Sequence, residues 1–440
     1  MAAANTVESL NGLFKEVYAD NLADHRPKSF KLQNHIDFIT AEKRNGNNYN
    51  QPIQVAHEHG FTYSGPGGGA FTLGGSVAGG TKNAQITGSQ RVLQSQMDYE
   101  SAARASTGGK RAFVQATSLL VREMTIAFRK RQEIDIANGR QGIGIVGAVT
   151  TDGSPAVVTI TDASWVPGVW AGAEGAEIAF GPAPSATVTL GDGAATLKEM
   201  DGDKYFTVAS VDMGTKKITL DRDTASSAGI EADDAIYFRY QRVEDDGKWN
   251  IPLSISDILA SSDADTDDSL FGIPMSASSL WKPNKYDRAA DGKDITFEDI
   301  MKNAVILALS KGLEEDLCMF VSPKLWATLV NAEVGKREWN SRSYKVEVGP
   351  EEIQFYSQHG TVKIIASLYI PDGKAFLIAP DLWLRIGATD MTFNLPGRGD
   401  EFFLNLESSA AIELRAYDNT ALFTEAPGKS VLLTGAGIYA

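Results

Sequence analysis

Two histidines flank a glutamate in His57-Glu58-His59. In an extended strand a two-residue spacing puts both imidazoles on one face, the beginning of a metal site. His25, His35 and His359 supply no evident third ligand, so an exposed strand is expected there. The run Asp263-Ala264-Asp265-Thr266-Asp267-Asp268 opens like a calcium loop. Its sixth position is Asp268 rather than glycine, and its twelfth is Pro274 rather than a bidentate acid, which predicts a solvated acidic loop. Glycines crowd residues 65–80, but no Gly-Lys-Ser/Thr follows and no helix begins at the tract's edge, which excludes a phosphate cradle. Cys318 lies in the apolar run Leu317-Cys318-Met319-Phe320-Val321, where a buried thiol is inert. Glu314-Glu315-Asp316 is read as a solvated stretch after a helix end. Lys82, with Asn405 or Asn419 and Glu407, has the side-chain identities for an amide cross-link between subunits, a reaction that depends wholly on geometry. No catalytic, metal or cofactor set emerges, and a non-enzymatic chain is expected.

The elements that carry these residues come in a telling order. At 440 residues the chain is long enough for two or three cores. It is 43% hydrophobic and 22% charged, with no apolar run of membrane-spanning length and no basic-then-apolar leader. A single cysteine excludes an internal disulfide. The net charge of −15 argues against tight binding to phosphate backbones, yet suits either plain solubility or a wall that repels enclosed nucleic acid.

Residues 1–49 read as an N-terminal arm with a short helix from Val7 to Tyr18. Alternation at Ile53, Val55, Phe61 and Tyr63, a glycine-rich tip, and alternation again from Gln85 to Tyr99 predict one long two-stranded hairpin over 50–107. An isolated hairpin buries too little surface to stand alone, so the tip is expected to rest on its own body or on a neighbouring subunit; Gly67, Gly68, Phe71 and Leu73, with Lys82 on the return strand, are the candidates for the inter-subunit contact. Residues 108–144 hold a helix of roughly 45 Å. Its core face is Phe113, Leu120, Met124 and Phe128, and Asn138-Gly139 is its stop. Short alternating runs over 145–245 predict an antiparallel barrel or sandwich. Residues 246–400 mix helices (Ile255–Ala260, Phe297–Lys311, Pro323–Ala332) with strands, and 401–440 read as closing strands.

Arm, glycine-rich extended loop, long helix and mixed body, together with Leu317–Leu329 as a strand, proline turn and helix, resemble the HK97-fold major capsid proteins of tailed bacteriophages. The resemblance implies an α+β fold with an N-arm (1–49), an extended loop (50–107), a spine helix (108–144), an axial domain (246–400) and peripheral closing strands (401–440). The β-rich 145–245 departs from the minimal pattern and resembles an insertion domain. The function implied is a shell of hexamers and pentamers around double-stranded DNA, in a virion assembled in the host cytoplasm. Implied partners are copies of itself, a scaffolding protein, a portal protein and in some cases a decoration protein, with no membrane, cofactor or sequence-specific DNA contact. An encapsulin-like compartment and a β-rich surface adhesin are the alternatives.

Overall fold

The computed structural model describes residues 29–40, 48–67, 69–98, 110–150, 155–182, 197–199, 203–221, 229–243, 248–265, 268–334, 353–357, 360–394, 403–405 and 411–437. The expected helix at Val7–Tyr18 lies outside them. The chain opens with α1 (Lys31–His35) and β1 (Asp37–Thr40), then the hairpin strands β2 (Asn48–Ala56) and β3 (Gly80–Thr87), then β4 (Ser89–Asp98). The long helix α2 (Lys110–Ala137) follows, matching its predicted span closely.

Next comes a closed six-stranded barrel: β5 (Gly144–Val149), β6 (Val157–Ile160), β7 (Glu177–Gly181), β8 (Phe206–Asp212), β9 (Lys217–Leu220) and β10 (Ala235–Phe238). A short helix, α3 (Pro167–Trp170), lies between β6 and β7. Inward-facing Val146, Val158, Ile160, Ile178, Phe180 and Phe206 are buried, as closure of a small barrel requires. The sequence left barrel and sandwich open; the β10–β5 and β10–β7 pairings close the ring.

The body contains α4 (Ile255–Ala260), the two-residue strands β11 (Ser269–Leu270) and β12 (Ile273–Pro274), and β13 (Asn284–Asp287). A π-helical turn (Asp299–Ala304) runs into α5 (Val305–Leu309), followed by β14 (Leu317–Val321) and α6 (Pro323–Val334). The remaining strands are β15 (Ile353–Ser357), β16 (Gly360–Ala366), β17 (Lys374–Ile378), β18 (Trp383–Thr392), β19 (Phe403–Asn405), β20 (Ala411–Thr424) and β21 (Val431–Thr434). They build two sheets. One has the order β13-β21-β17-β14-β16-β15, and its core includes Met319, Leu325, Ile364 and Leu377. The other holds β1-β18-β20-β19, with β4 on the far edge of β20.

Three boundaries differ from the sequence reading. Strand β18, expected in the axial part, pairs with β20 in the peripheral sheet, while β21, expected in the peripheral part, sits between β13 and β17. β18 mixes polar and apolar residues and β21 is mostly apolar, but neither pattern names a partner: pairing at this sequence separation depends on which edges the rest of the chain leaves open. The hairpin is also shorter than expected. Only β3 pairs with β2, and after Gly88 the chain leaves the hairpin as β4, bonding β20 from Ser89↔Thr420 to Asp98↔Ala411. Finally, β1 pairs in parallel with β18, and Leu32 and Ile36 are fully buried, so residues 31–40 belong to the body rather than to a free arm.

The helix lies on the peripheral sheet through Met124 and Phe128, which cluster with Leu414 and Ala416. Leu120 is partly buried against them, and the side chain of Phe113 lies outside the described residues. Gly139 serves as the stop at φ +45°, where an added Cβ would sit 2.5 Å from Asp257 Oδ2. Truncating Phe128 to alanine is expected to cost about 3–5 kcal/mol in urea unfolding. The same change at exposed Phe71 is expected to cost less than about 0.5 kcal/mol.

Candidate inter-subunit site and its buried anchor

The loop joining β2 to β3 carries a concentrated apolar surface. Phe61 (75% exposed), Tyr63 (89%), Phe71 (50%), Leu73 (77%) and Val77 (52%) are five of the eleven large hydrophobic side chains exposed among the described residues. The two arms of the loop are tied together: His59 N–H donates to Val77 O (3.2 Å) and Gly74 N–H to Thr62 Oγ1 (2.8 Å). Gly67 turns at φ +122° in the tip, and Gly68 lies outside the described residues. Exposed apolar side chains concentrated in one loop make it a candidate contact surface. The base of the hairpin rests on the body, with Ala84 and Ile86 buried and Gln85 N–H donating to Phe271 O (2.8 Å).

The chemical candidates stay apart. Strand β2 ends at Ala56, so His57, Glu58 and His59 lie in the exposed loop instead of on a strand face. No group of three or more His, Cys, Asp or Glu gathers among the described residues. Asp263 pairs with Lys285 (2.6 Å), and Asp268 Oδ2 accepts the N–H of Asp265 (3.0 Å), a turn rather than a calcium cage. Glu315, read as solvated, pairs with Lys429 at 2.9 Å. Lys82 is exposed on β3 opposite Ile53. Asn419 is buried in β20 between β4 and β18, where a buried amide is closed to a lysine from another copy. Glu407 and the side chain of Asn405 lie outside the described residues.

Sequence reasoning missed the buried group that ties β4 to α2 and β20. From Gln132 to Gly139 helix α2 and the turn after it are buried on every side, polar residues included. Buried charges must be paired. Arg91 of β4 donates from Nη1 to Asp135 Oδ2 (2.8 Å) and from Nε and Nη2 to the two oxygens of Asp418 (3.1 and 2.6 Å). Nη2 also reaches Thr420 Oγ1 (2.8 Å). Gln132 Nε2 adds a bond to Asp418 Oδ2 (2.6 Å), and Gln241, just beyond the barrel, donates from Nε2 to Asp135 Oδ1 (2.8 Å). Burial works against the charge on Arg91, but Asp135 and Asp418 outweigh it and raise its pKa. Arg131, stacked 3.3 Å from the Phe238 ring centroid, is pushed down to about 10 by burial. The one sequence signal available was polar residues at 132, 133 and 135, interrupting the apolar face before the helix stop.

A second buried acid holds the N-terminal segment. Glu133 is fully buried and accepts the N–H groups of Leu32 (2.7 Å) and Gln33 (3.0 Å), the orphan donors at the start of α1. Burial pushes its carboxyl up to about 7.

No protein-family model matches the sequence, and no curated protein sequence matches it. Solved structures do. A chain of the cyanophage A-1(L) capsid asymmetric unit aligns over 98% of this chain and 99% of that chain, with 10% identity and a TM-score of 0.56. The capsid of a native GTA particle aligns over 98% and 99%, with 9% identity and a TM-score of 0.49. The architecture is the HK97-like capsid fold, in the α+β form expected from the order of its parts. At such low identity the likeness is one of fold.

Replacing Asp418 with alanine removes two charge-assisted bonds from Arg91 and the Asp418 acceptor of Gln132 Nε2, leaving Arg91 paired with Asp135, and is expected to cost about 2–4 kcal/mol in urea unfolding. Glu133 gives a pH-dependent expectation. Its folded pKa lies above the unfolded value of 4.5, so its contribution is fully present below pH 4.5 and is lost as pH rises through about 7. The stability difference between wild type and Glu133→Gln should therefore fall across that window, by up to about 3 kcal/mol. Urea unfolding of both proteins at pH 5 and pH 7.5 measures it.

Proposed function

We propose that this chain is the repeating subunit of an icosahedral shell, the major capsid protein of a tailed bacteriophage, assembling as hexamers and pentamers around double-stranded DNA. The observation that carries this reading is the end-to-end correspondence of its fold with a phage capsid chain. The exposed hairpin loop supplies the physical means. Phe71 and Leu73, with Phe61 and Tyr63, form a knob that is uncovered in its own subunit. A knob that fits a different surface of an identical neighbour makes a head-to-tail contact, and such contacts close into rings when the rotation allows. Repetition around a closed shell turns modest contacts into a durable one.

The role is structural rather than enzymatic. A net charge of −15 suits a wall that holds DNA without binding it. A scaffolding protein would guide assembly, a portal protein would fill one vertex, and a decoration protein is an optional outer partner. The mature site of action is the virion, after assembly in the host cytoplasm.

Negative-stain electron microscopy of the expressed chain, with and without a candidate scaffolding protein, tests the reading. Closed polyhedral particles or rings of five and six are expected, and a monomer under both conditions would overturn it. Nuclease-protected DNA in particles from infected cells separates a virion from a protein-storing compartment. Phe71→Ser combined with Leu73→Ser is expected to reduce particle yield at least about tenfold while leaving the unfolding midpoint within about 2 °C, since both side chains are exposed.

A further inference from the structure

The exit of the barrel over 144–238 is joined to β4, the strand that follows the hairpin, by a short polar relay. Leaving β10, the chain turns through Arg239, Tyr240 and Gln241, with Tyr240 held at φ +68°, a conformation costly for a bulky residue. The turn is fixed from both sides: Phe238 N–H donates to Gln241 Oε1 (2.9 Å), and Asn250 donates from its backbone N–H to Gln241 O and from Nδ2 to Tyr240 O (both 2.9 Å). So held, Gln241 is 5% exposed and presents its Nε2 to Asp135. The other oxygen of Asp135 takes Arg91, which reaches on to Asp418. Beside this relay lies a cavity of about 380 Å³ whose lining includes Val92, Leu93, Phe128, Arg239 and Tyr240.

Arg91 is the third residue of β4, and β4 follows the hairpin strand β3 after Gly88 alone. That junction is pressed against β20: a Cβ at Gly88 would lie 2.6 Å from Asn419 Oδ1. Whatever fixes the start of β4 therefore helps to set the direction in which the hairpin leaves the body, alongside the β4–β20 ladder and the bond from Gln85 N–H to Phe271 O. We propose that the barrel aligns its own subunit's hairpin, through Gln241, Asp135 and Arg91, so that the insertion is an aiming device for the arm. This alignment operates within one subunit and stands whether or not the chain builds a shell.

The test is Gln241→Glu in the full chain. The substitution keeps the acceptor for Phe238 N–H and turns the donor that faces Asp135 into a carboxylate oxygen. Hydrogen exchange of the soluble subunit is followed at 84–96 and, as a control, at barrel residues 206–220, with rates corrected for intrinsic pH dependence. At pH 8 the hairpin root is expected to exchange at least about fivefold faster, with the barrel unchanged. At pH 5 protection should return, because protonation of the introduced carboxyl restores a donor facing Asp135; Arg91, Arg131 and Asp418 are the other charged groups there. Gln241→Leu, which can regain no donor, should show the loss at both pH values. A spin-label pair at Ser76→Cys and Lys217→Cys reads direction itself and should give a broader distance distribution in both variants; Cys318 is buried and stays unlabelled. Acceleration confined to the barrel, or no change at 84–96 in either variant, overturns the proposal.

Discussion

Two buried carboxylates, Asp135 and Asp418, meet one guanidinium, and the peripheral half of the molecule is arranged so that this meeting succeeds. Asp135 comes from the end of α2, Asp418 from the middle of β20, and Arg91 from the start of β4. Removing such charges from water costs several kcal/mol per ion unless every lone pair finds a partner. Gln132, Thr420 and Gln241 complete the set, so three segments distant in sequence and the exit of the barrel are held in one register.

A fixed root and an uncovered tip make a consistent pair. The hairpin base is buried through Ala84 and Ile86, while its loop presents aromatic and aliphatic side chains to solvent. A projection whose direction varied would lose conformational entropy on docking, and one held in place has lost it beforehand. The same logic applies to residues 31–40, expected as part of a free arm. Glu133 caps α1, Arg385 Nε donates to Ile36 O (3.1 Å), and a four-residue parallel ladder joins β1 to β18.

Local pattern made much of the fold legible. The α2 span and its Asn138-Gly139 stop follow from 3.6-residue periodicity and from glycine's tolerance of positive φ. Strands β6, β9, β14 and β17 follow from alternation or short apolar runs, and Ile255–Ala260 was read at its observed bounds, whose start the structure secures with a capping box of Ser254 and Asp257. Exposure of Phe71 and Leu73 was also foreseeable, since a glycine-rich tip cannot bury its own apolar residues. What failed was partnership. β4 abandoned the hairpin for β20, and β18 and β21 took sheets opposite to those expected, because strand pairing at long range depends on open edges elsewhere.

The sequence by itself determined the order of parts, the kind of each element and the apolar character of the hairpin loop, all properties of neighbouring residues along the chain. Only the tertiary structure decided which charges are buried together, that Gln241 reaches Asp135, and that Glu133 holds α1 across a hundred residues. In a single sequence Arg91, Asp135 and Asp418 look like any surface charges. Their energetic weight arises from desolvation, and desolvation exists only once the fold has closed around them.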